Sequence, residues 1–531
     1  MHGLISRVAA SAILVIPSLA LAQADHQHEA DIKRLGAVEF PTSCAEAVQK
    51  DFTRAVAMLH SFWFDQANRA FEQVAKADPN CAMAQWGIAM TLLGNPFVRA
   101  PIPEARLTPA LAAAERAVQL AAKQSPREQA WAEAAAVLYR NAATNDHLAR
   151  MKLHEAAMAK VREQNPTDIE ATIFYSRAVI ANAPPEDLTF GRQKVAAELL
   201  EPIFRKQSRH PGLAHYLIHA YDAPPIASNG LDAARRYADI APAAPHALHM
   251  PSHIFTRVGL WDESIETNKR SARAEPDSNA AVHPMDYMVY AYLQLGRDGD
   301  AEAVVSRATQ NKDEFYRGQL GYNFTAMPAR FALERGDWAA AARLKLPVNA
   351  NPEVEAITRF ARAIGASRSR QVAIARAETD TLGLLVAKLR SQNNNYWATI
   401  VEAQRLAAAS WTAHAQRRTD EAIDLARRAA ELEETIEKHP VTPGPLLPAR
   451  ELQGDLLLEL GKSAEAQAAY EKTLQREPRR ARALYGVARS AELAGNDDVA
   501  RKRYREVLEL MKKADKDRLE PRRAGQFLSG R

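Results

Sequence analysis

The feature that most limits the fold of this chain is a pattern that repeats every 34 residues near its C-terminus. Four pairs of positions recur at this spacing: Gly454 and Ala488, Gly461 and Gly495, Ala466 and Ala500, and Tyr470 and Tyr504. The pattern predicts a helix, a tight turn at the glycine and a second helix that carries the aromatic residue. A hairpin of this size cannot bury its own apolar face, so successive hairpins must stack into a solenoid.

This pattern resembles the tetratricopeptide repeat (TPR), in which small residues allow paired helices to pack closely. Weaker copies occur over 67–79 and around the turn glycines Gly259, Gly296 and Gly336. The resemblance implies an all-α fold, a right-handed superhelix of antiparallel helix pairs. The abundance of Ala, Leu, Arg and Glu, which are good helix formers, agrees with this fold class.

The chain can be divided by how closely it follows the repeat. We expect a signal peptide at 1–22, a poorly ordered N-terminal segment at 23–44, a TPR-like array at 45–346, a divergent helical segment at 347–395, a C-terminal TPR array at 396–513 and a basic tail at 514–531. The strings "FPTSC", "MLHSFWFD", "HMPSHIF" and "HPVTPGPLLPARE" also resemble exported bacterial TPR proteins to which no chemistry is assigned. That resemblance implies the architecture and no reaction.

The first residues have the features of a secretory signal. Arg7 is followed by an apolar run over 8–21, and "ALA" at 20–22 offers the small residues that signal peptidase accepts. The run is short for a membrane anchor and contains Pro17, and no later segment is apolar enough to cross a bilayer. We therefore expect a periplasmic or secreted protein.

The two cysteines are interpreted in the light of this export. Cys44 and Cys81 both precede predicted helices in neighbouring turns of the chain. An even number of cysteines in an oxidising compartment can form a disulfide. The alternative is a pair of unbonded thiols, one of them packed in the core.

Histidines are concentrated in the middle of the chain, where "APHALHMPSHIFTRVGLW" begins at Ala244. The TPR resemblance implies that positions 2, 5, 9, 12 and 13 of each repeat line a concave groove. In the repeats aligned on Gly259 and Gly296, these positions are occupied by His246, His249, His253, Thr256, Arg257, His283, Asp286 and Tyr290. This predicted groove face would hold a peptide or protein segment.

The same region also suits a metal ion, for which the predicted ligand set is His215, His219, Asp222, His246, His249 and His253. The first two histidines lie one helical turn apart and the last three follow i, i+3, i+7 spacing, so each set shares one helix face. Imidazoles one turn apart can chelate zinc, copper or nickel, and a second helix can complete three or four ligands. Pro251 leaves the alternatives open, because a helix that begins there would separate His246 from the others.

No enzyme signature accompanies these residues: we find no GxSxG elbow, phosphate-binding glycine loop, HExxH or CxxC motif. The net charge of +5 is modest for 531 residues, and we do not expect an exported protein to bind nucleic acid.

Our first hypothesis is a non-catalytic scaffold, without a cofactor, that binds a peptide or protein segment in its concave groove. The alternative is a metal-binding protein or metal-dependent enzyme that uses the same histidines. A metal site requires imidazole nitrogens that converge on one point, whereas a peptide groove spreads them along its length.

Overall fold

The computed structural model describes residues 33–275, 281–309 and 318–530, with side chains from residue 321 onward in the last range. The predicted signal peptide, and the N-terminal segment up to residue 32, lie outside these ranges. The described residues form helices, turns and loops, and no β-strand occurs among them. None of their helices combines the length and apolar character needed to span a bilayer.

The α-helices are α1 (Glu46–His60), α2 (Phe64–Ala77), α3 (Ala82–Leu93), α4 (Glu104–Ala121), α5 (Pro126–Ala136), α6 (His147–Gln164), α7 (Ile169–Ala181), α8 (Gly191–Lys206), α9 (Pro211–Tyr221), α10 (Leu231–Ile240), α11 (Pro245–His249), α12 (Pro251–Arg257), α13 (Trp261–Ala274), α14 (Val282–Gln294), α15 (Asp298–Thr309), α16 (Gly318–Glu334), α17 (Trp338–Ala342), α18 (Pro352–Arg368), α19 (Val372–Ser391), α20 (Asn395–Ala415), α21 (Thr419–Glu433), α22 (Ala449–Glu459), α23 (Ser463–Arg476), α24 (Ala481–Leu493), α25 (Asp497–Leu510) and α26 (Leu519–Leu528). Helices that follow each other in the chain pack side by side, and several helices also contact the next helix but one. The predicted all-α stack of hairpins is therefore confirmed.

The repeat positions near the C-terminus work as their spacing predicts. Gly461 follows α22 with a φ of 75°, a left-handed conformation that glycine adopts without strain. A Cβ atom on Gly454 would lie 2.9 Å from the ring of Tyr470, and one on Gly486 would lie 2.5 Å from it. Glycines at these two crossings therefore let the Tyr470 ring fill the space between successive hairpins.

The divergent segment at 347–395 continues the stack. It contains α18 and α19, which pack against each other, while α18 also contacts α17 and α19 contacts α20. These two helices have 17 and 20 residues, compared with 14 in α23. The match to a 34-residue repeat is weak here because the helices are longer, although the hairpin packing is kept.

The described part of the N-terminal segment, residues 33–44, packs against the first helices. The ring of Phe40 is buried, with its centroid 5.4 Å from that of Trp86 and 4.9 Å from that of Trp131. Cys44 forms a disulfide with Cys81. The bond joins the end of this segment to the residue that begins α3.

The C-terminal hairpins fold back onto the middle of the chain. The indole Nε1 of Trp261 donates to the carbonyl oxygen of Arg479 at 3.2 Å. The guanidinium of Arg518 lies 2.7 Å from a carboxylate oxygen of Asp298. Buried residues of α13 to α15 share one apolar core with those of α24 to α26. The two arrays therefore enclose the residues that lie between them.

Residues 435–448, which we call the crossing segment, run through this enclosed interior between α21 and α22. The hydroxyl of Tyr287 donates to the carbonyl oxygen of Thr442 at 3.3 Å, and Nδ2 of Asn323 donates to that of Val441 at 2.9 Å. Valine and leucine side chains of the crossing segment are buried. The segment covers the helix faces that the repeat alignment assigned to an open groove.

A buried histidine on α6 makes the stability of the fold depend on pH. Nδ1 of His154 donates to the carbonyl oxygen of Ala134 at 2.6 Å. Burial, together with the nearby charge of Arg177, lowers the pKa of His154 from 6.5 to about 4. The neutral ring stabilises the fold above the unfolded-state pKa, and this contribution, about 3 kcal/mol, is lost as the pH falls from 6.5 through the folded-state pKa.

We therefore expect the unfolding free energy of the variant His154→Gln to fall less steeply on acidification than that of the wild type. Urea denaturation between about pH 7 and about pH 4.5 measures the difference. The variant His414→Gln, which alters a partly exposed histidine beside Glu459, is the control. Parallel curves for His154→Gln and the wild type would contradict the assignment.

Candidate metal centre

Three histidines from two helices form what we call the first histidine group: His215 and His219 on α9 and His246 on α11. One nitrogen of each lies within 4.8 Å of the other two. Nε2 of His215 is 3.2 Å from Nε2 of His219 and 3.2 Å from Nε2 of His246. Nδ1 of His215 lies 2.6 Å from the carbonyl oxygen of His60, which can only accept. Nδ1 therefore carries the hydrogen, and Nε2 of His215 has a free lone pair.

Three further histidines form the second histidine group: His249 at the end of α11, His253 on α12 and His283 on α14. One nitrogen of each again lies within 4.8 Å of the other two. Nε2 of His249 and Nε2 of His253 are 3.1 Å apart. The ring of His283 packs on that of His249 with centroids 4.5 Å apart.

The hydrogen bonds of the second histidine group fix the tautomers of two of its rings. Nδ1 of His253 donates to the Asp222 carboxylate at 2.8 Å. Nδ1 of His249 lies 2.6 Å from Oδ1 of Asn268, whose own Nδ2 donates to the carbonyl oxygen of Ser264. Both Nδ1 atoms therefore carry hydrogens, and two Nε2 lone pairs face each other at 3.1 Å. Such an arrangement is repulsive unless a cation lies between the nitrogens.

Protonation of one of these histidines does not readily provide the positive charge. Burial lowers the pKa of His249 well below 6.5, with further lowering by the neighbouring His283 and His253. Burial also lowers the pKa of His253, although Asp222 raises it in part. The pKa values of His215, His219, His246 and His283 are lowered well below the usual value by the same cause. All six imidazoles are therefore neutral near pH 7, the form that binds a metal ion.

A buried charge network lies next to the second histidine group. Burial alone would raise the pKa of Asp222, but Lys438 and Arg257 hold it well below its usual range. The ammonium of Lys438 is 3.2 Å from the Asp222 carboxylate, and Nε of Arg257 is 2.8 Å from it. Arg257 also binds Glu437 at 2.5 Å. Asp222 therefore stays ionised and orients the His253 ring, as carboxylates beside metal ligands commonly do.

The geometry of the chain at Pro251 divides the histidine string between the two groups. α11 ends at His249 and α12 begins at Pro251, with Met250 between them in a helical conformation. His246 points to the first histidine group, whereas His249 and His253 belong to the second. The break between α11 and α12 therefore divides histidines that are adjacent in sequence between two neighbouring groups.

The remaining predicted site residues lie outside the two groups. The Thr256 hydroxyl is 3.0 Å from that of Ser264. The Asp286 carboxylate accepts from Asn323 at 3.1 Å, and the Tyr290 hydroxyl lies 3.0 Å from the guanidinium of Arg480. Thr256 and Asp286 therefore join inner helices to each other, and Tyr290 joins α14 to the C-terminal array.

Burial separates this site from a peptide-binding groove. The exposed fractions of His215, His249 and His253 are 0%, 1% and 2%, and Tyr290 is also buried. The crossing segment and the C-terminal array occupy the space that an open superhelix would leave to a partner. The predicted groove face is thus an interior surface, because residues more than a hundred positions away along the chain cover it.

Several residues of the site carry no local sequence signal. The carbonyl oxygen of His60 fixes the tautomer of His215, and the Asn268 side chain fixes that of His249. The Tyr287 hydroxyl lies 3.4 Å from both ring nitrogens of His253. Lys438 and Glu437 belong to the crossing segment. Only the proline-rich composition after Lys438 marks this segment as unusual. It gives no indication of which helices the segment covers.

A cavity of about 70 Å³ lies on the far side of the Arg257–Glu437 ion pair. Tyr322, Tyr396 and Trp397 contribute aromatic walls. Glu433 also lines the cavity, and burial raises the pKa of its carboxyl group to about 7. The cavity adjoins the charge network rather than the imidazole nitrogens.

Comparisons with known proteins identify the repeats. A sequence profile described as "Tetratricopeptide repeat" matches residues 64–96 and 452–516, so both arrays contain TPRs. No curated protein matches the sequence of the chain. Among solved structures, yeast Tom70 is similar at 11% identity with a TM-score of 0.34, over 91% of this chain and 95% of that chain.

Human IFIT1, solved as a dimer with m7Gppp-AAAA, is similar at 13% identity with a TM-score of 0.37, over 92% of this chain and 94% of that chain. A monomeric IFIT1 mutant with Gppp-AAAA gives 12% identity and a TM-score of 0.37, over 91% of this chain and 94% of that chain. The assignment of the fold rests on the helices described above and on the two matched segments.

Proposed function

From the premise of a solenoid that contains tetratricopeptide repeats, we propose that this protein binds a transition-metal ion through the second histidine group. The observation that carries the proposal is the pair of Nε2 lone pairs, on His249 and His253, at 3.1 Å. Ligands at 2.0–2.1 Å from a tetrahedral ion lie about 3.3 Å from each other, close to this separation. His283 supplies the third nitrogen.

The donor set favours ions of the zinc, copper and nickel class. Imidazole nitrogen suits these ions, whereas calcium and magnesium require oxygen ligands. The Asp222 carboxylate, which contacts His253, is engaged by Lys438 and Arg257 as well and serves to orient a ligand. Three protein ligands leave one tetrahedral position open to water or a small ligand.

We further propose that the protein acts outside the cytoplasm. The apolar run before the "ALA" site at 20–22 has the features of a cleaved signal. The bond between Cys44 and Cys81 supports the same compartment, since structural disulfides persist where the environment is oxidising.

TPR solenoids are scaffolds typical of protein and RNA binding, and a peptide partner was the first hypothesis from the sequence. The burial of His249 and His253 favours the metal ion at this place, because a peptide cannot reach the nitrogens of these two side chains. Any peptide partner would bind another face of the solenoid.

The test is a metal count on the purified protein. We expect chelator-stripped protein, after equilibration with Zn²⁺, Cu²⁺ or Ni²⁺ in turn and removal of free ion, to retain a near-stoichiometric amount of at least one of them. The variants His253→Gln and His283→Gln should lose the ion bound at the second histidine group. Elemental analysis gives the count, and the shift in thermal unfolding with added metal gives an independent measure of binding to the folded state.

The variant His414→Gln is the matched control, since it removes an imidazole far along the chain from both groups. It should bind metal as the wild type does. Folding of each variant is checked by circular dichroism. A wild type that retains none of the three ions, or folded variants with an unchanged metal content, would overturn the proposal.

A further inference from the structure

We propose that the first histidine group binds a second metal ion beside the first, so that the six histidines form a two-ion centre. The inference rests on the proposed function, because the second ion is placed relative to the one at the second histidine group. It assigns a ligand set, His215, His219 and His246, that a single-ion site leaves unused.

The two histidine groups are built in the same way. Each contains two histidines one helical turn apart. In the first group these are His215 and His219 on α9, and in the second they are His249 and His253, on either side of the start of α12. The third histidine of each group comes from the next inward-facing helix. It is His246, near the start of α11, in the first group and His283, near the start of α14, in the second. The same arrangement thus occurs twice in successive hairpins, as a duplicated site in a repeat protein would.

The distances within the first histidine group also suit an ion. Nε2 of His215 carries a lone pair, because its Nδ1 hydrogen is given to the His60 carbonyl. Nε2 of His219 and Nε2 of His246 both approach that lone pair to 3.2 Å. One lone pair cannot form two good hydrogen bonds, whereas three imidazoles around one ion each contribute one nitrogen lone pair to the metal.

The two groups lie next to each other. The ring centroids of His219 and His253, one from each group, are 6.0 Å apart, and those of His246 and His249 are also 6.0 Å apart. The separation of His253 and His283, within the second group, is 6.1 Å. The shortest ring separations between the groups therefore match the longest one within the second group, while the other separations within the groups are 4.5 to 5.0 Å.

The chemistry of the two histidine groups determines which further ligand a pair of metal ions would bind. Three imidazoles per ion leave a coordination position open on each, and neutral ligands do not offset the repulsion between two cations. A small anion that bridges the ions, such as hydroxide, would reduce this repulsion. His246 and His283, one from each group, are only partly buried, so ions and a small anion can approach each group past one of its own histidines.

The experiment is a titration of the whole, chelator-stripped protein with Cu²⁺, followed by metal analysis and electron paramagnetic resonance. We expect the wild type to bind two equivalents, with a spin signal well below two per protein or broadened by coupling between neighbouring Cu²⁺ ions. The first-group variant His219→Gln/His246→Gln should bind one equivalent and show the full signal of one isolated ion. The second-group variant His283→Gln should do the same.

A wild type that saturates at one equivalent, with a count that the first-group variant leaves unchanged, would overturn the second ion and leave the proposed function standing. Two equivalents with the spectrum of isolated ions would overturn the side-by-side arrangement. No retained Cu²⁺ would overturn the two-ion centre, whereas the proposed function is overturned only if Zn²⁺ and Ni²⁺ are not retained either. The wild-type spectrum alone decides the question should a variant fail to fold.

Discussion

Replacement of Arg480 by methionine is expected to lower the free energy of unfolding by about 3 to 5 kcal/mol, because it removes the ion-pair partner of buried Glu334 and the closer of the two arginines beside buried Glu451. The Arg480 guanidinium binds the Glu451 carboxylate through two nitrogens, at 2.7 and 2.8 Å, and that of Glu334 at 2.7 Å. All of these side chains are buried. Arg480 directly precedes α24, Glu451 lies on α22 and Glu334 ends α16, so this cluster joins the C-terminal array to the middle of the chain.

Urea denaturation of Arg480→Met measures the loss. The variant Arg503→Met, in which the arginine pairs with Glu506 at the partly exposed surface of α25, is the matched control and should unfold almost as the wild type does. The triple variant Arg480→Met/Glu334→Gln/Glu451→Gln should recover part of the stability, because it removes the unpaired charges. An unfolding free energy of Arg480→Met equal to that of the wild type would contradict this prediction. It would show that Glu334 and Glu451 can become protonated without a loss of stability.

The change Asp222→Asn is expected to have two separable effects. The neutral amide no longer balances the buried cations Lys438 and Arg257, which should cost about 3 to 5 kcal/mol of folding free energy. It also no longer fixes the Nδ1 hydrogen of His253 as an ionised carboxylate does, and the loss of such a ligand-orienting group weakens metal binding about 10- to 100-fold.

The metal effect is measured by competition with a chromogenic chelator at a temperature where the variant is folded. The variant Asp232→Asn, which alters an exposed i, i+4 pair with Arg236, is the control for both measurements. A large loss of stability with unchanged metal affinity would restrict Asp222 to a structural role. An unchanged stability would contradict the description of Asp222 as the balance for two buried cations.

The sequence predicts the local parts of this molecule well, because its signals are local. The glycine after α22 and the small residues around Tyr470 determine one hairpin and its neighbour, so the 34-residue period suffices to predict the fold. The i, i+4 pairs His215 with His219 and His249 with His253 are likewise properties of single helices. Their convergence across helices does not follow from spacing, because Pro251 is compatible with two arrangements.

The enclosure of the histidines could not be predicted in this way. The alignment of positions 2, 5, 9, 12 and 13 assigns these residues to one face of the repeats, and it assumes that nothing covers that face. The covering residues belong to the crossing segment, which begins at residue 435, and to α24. Contacts such as Arg257 with Glu437 or Tyr290 with Arg480 leave no periodic trace that a single sequence can show.

The closure of the two arrays onto each other has a consequence for how the molecule unfolds. In an open repeat protein each hairpin touches only its neighbours, so the ends fray first and unfolding spreads unit by unit. Here Trp261 binds the backbone of Arg479 across 218 positions and Arg257 binds Glu437 across 180. The C-terminal hairpins cannot fray without exposing the centre of the chain, so the two arrays should unfold in one cooperative transition. Its folding should also be slow for an all-helical protein, since such distant contacts must form before they stabilise anything.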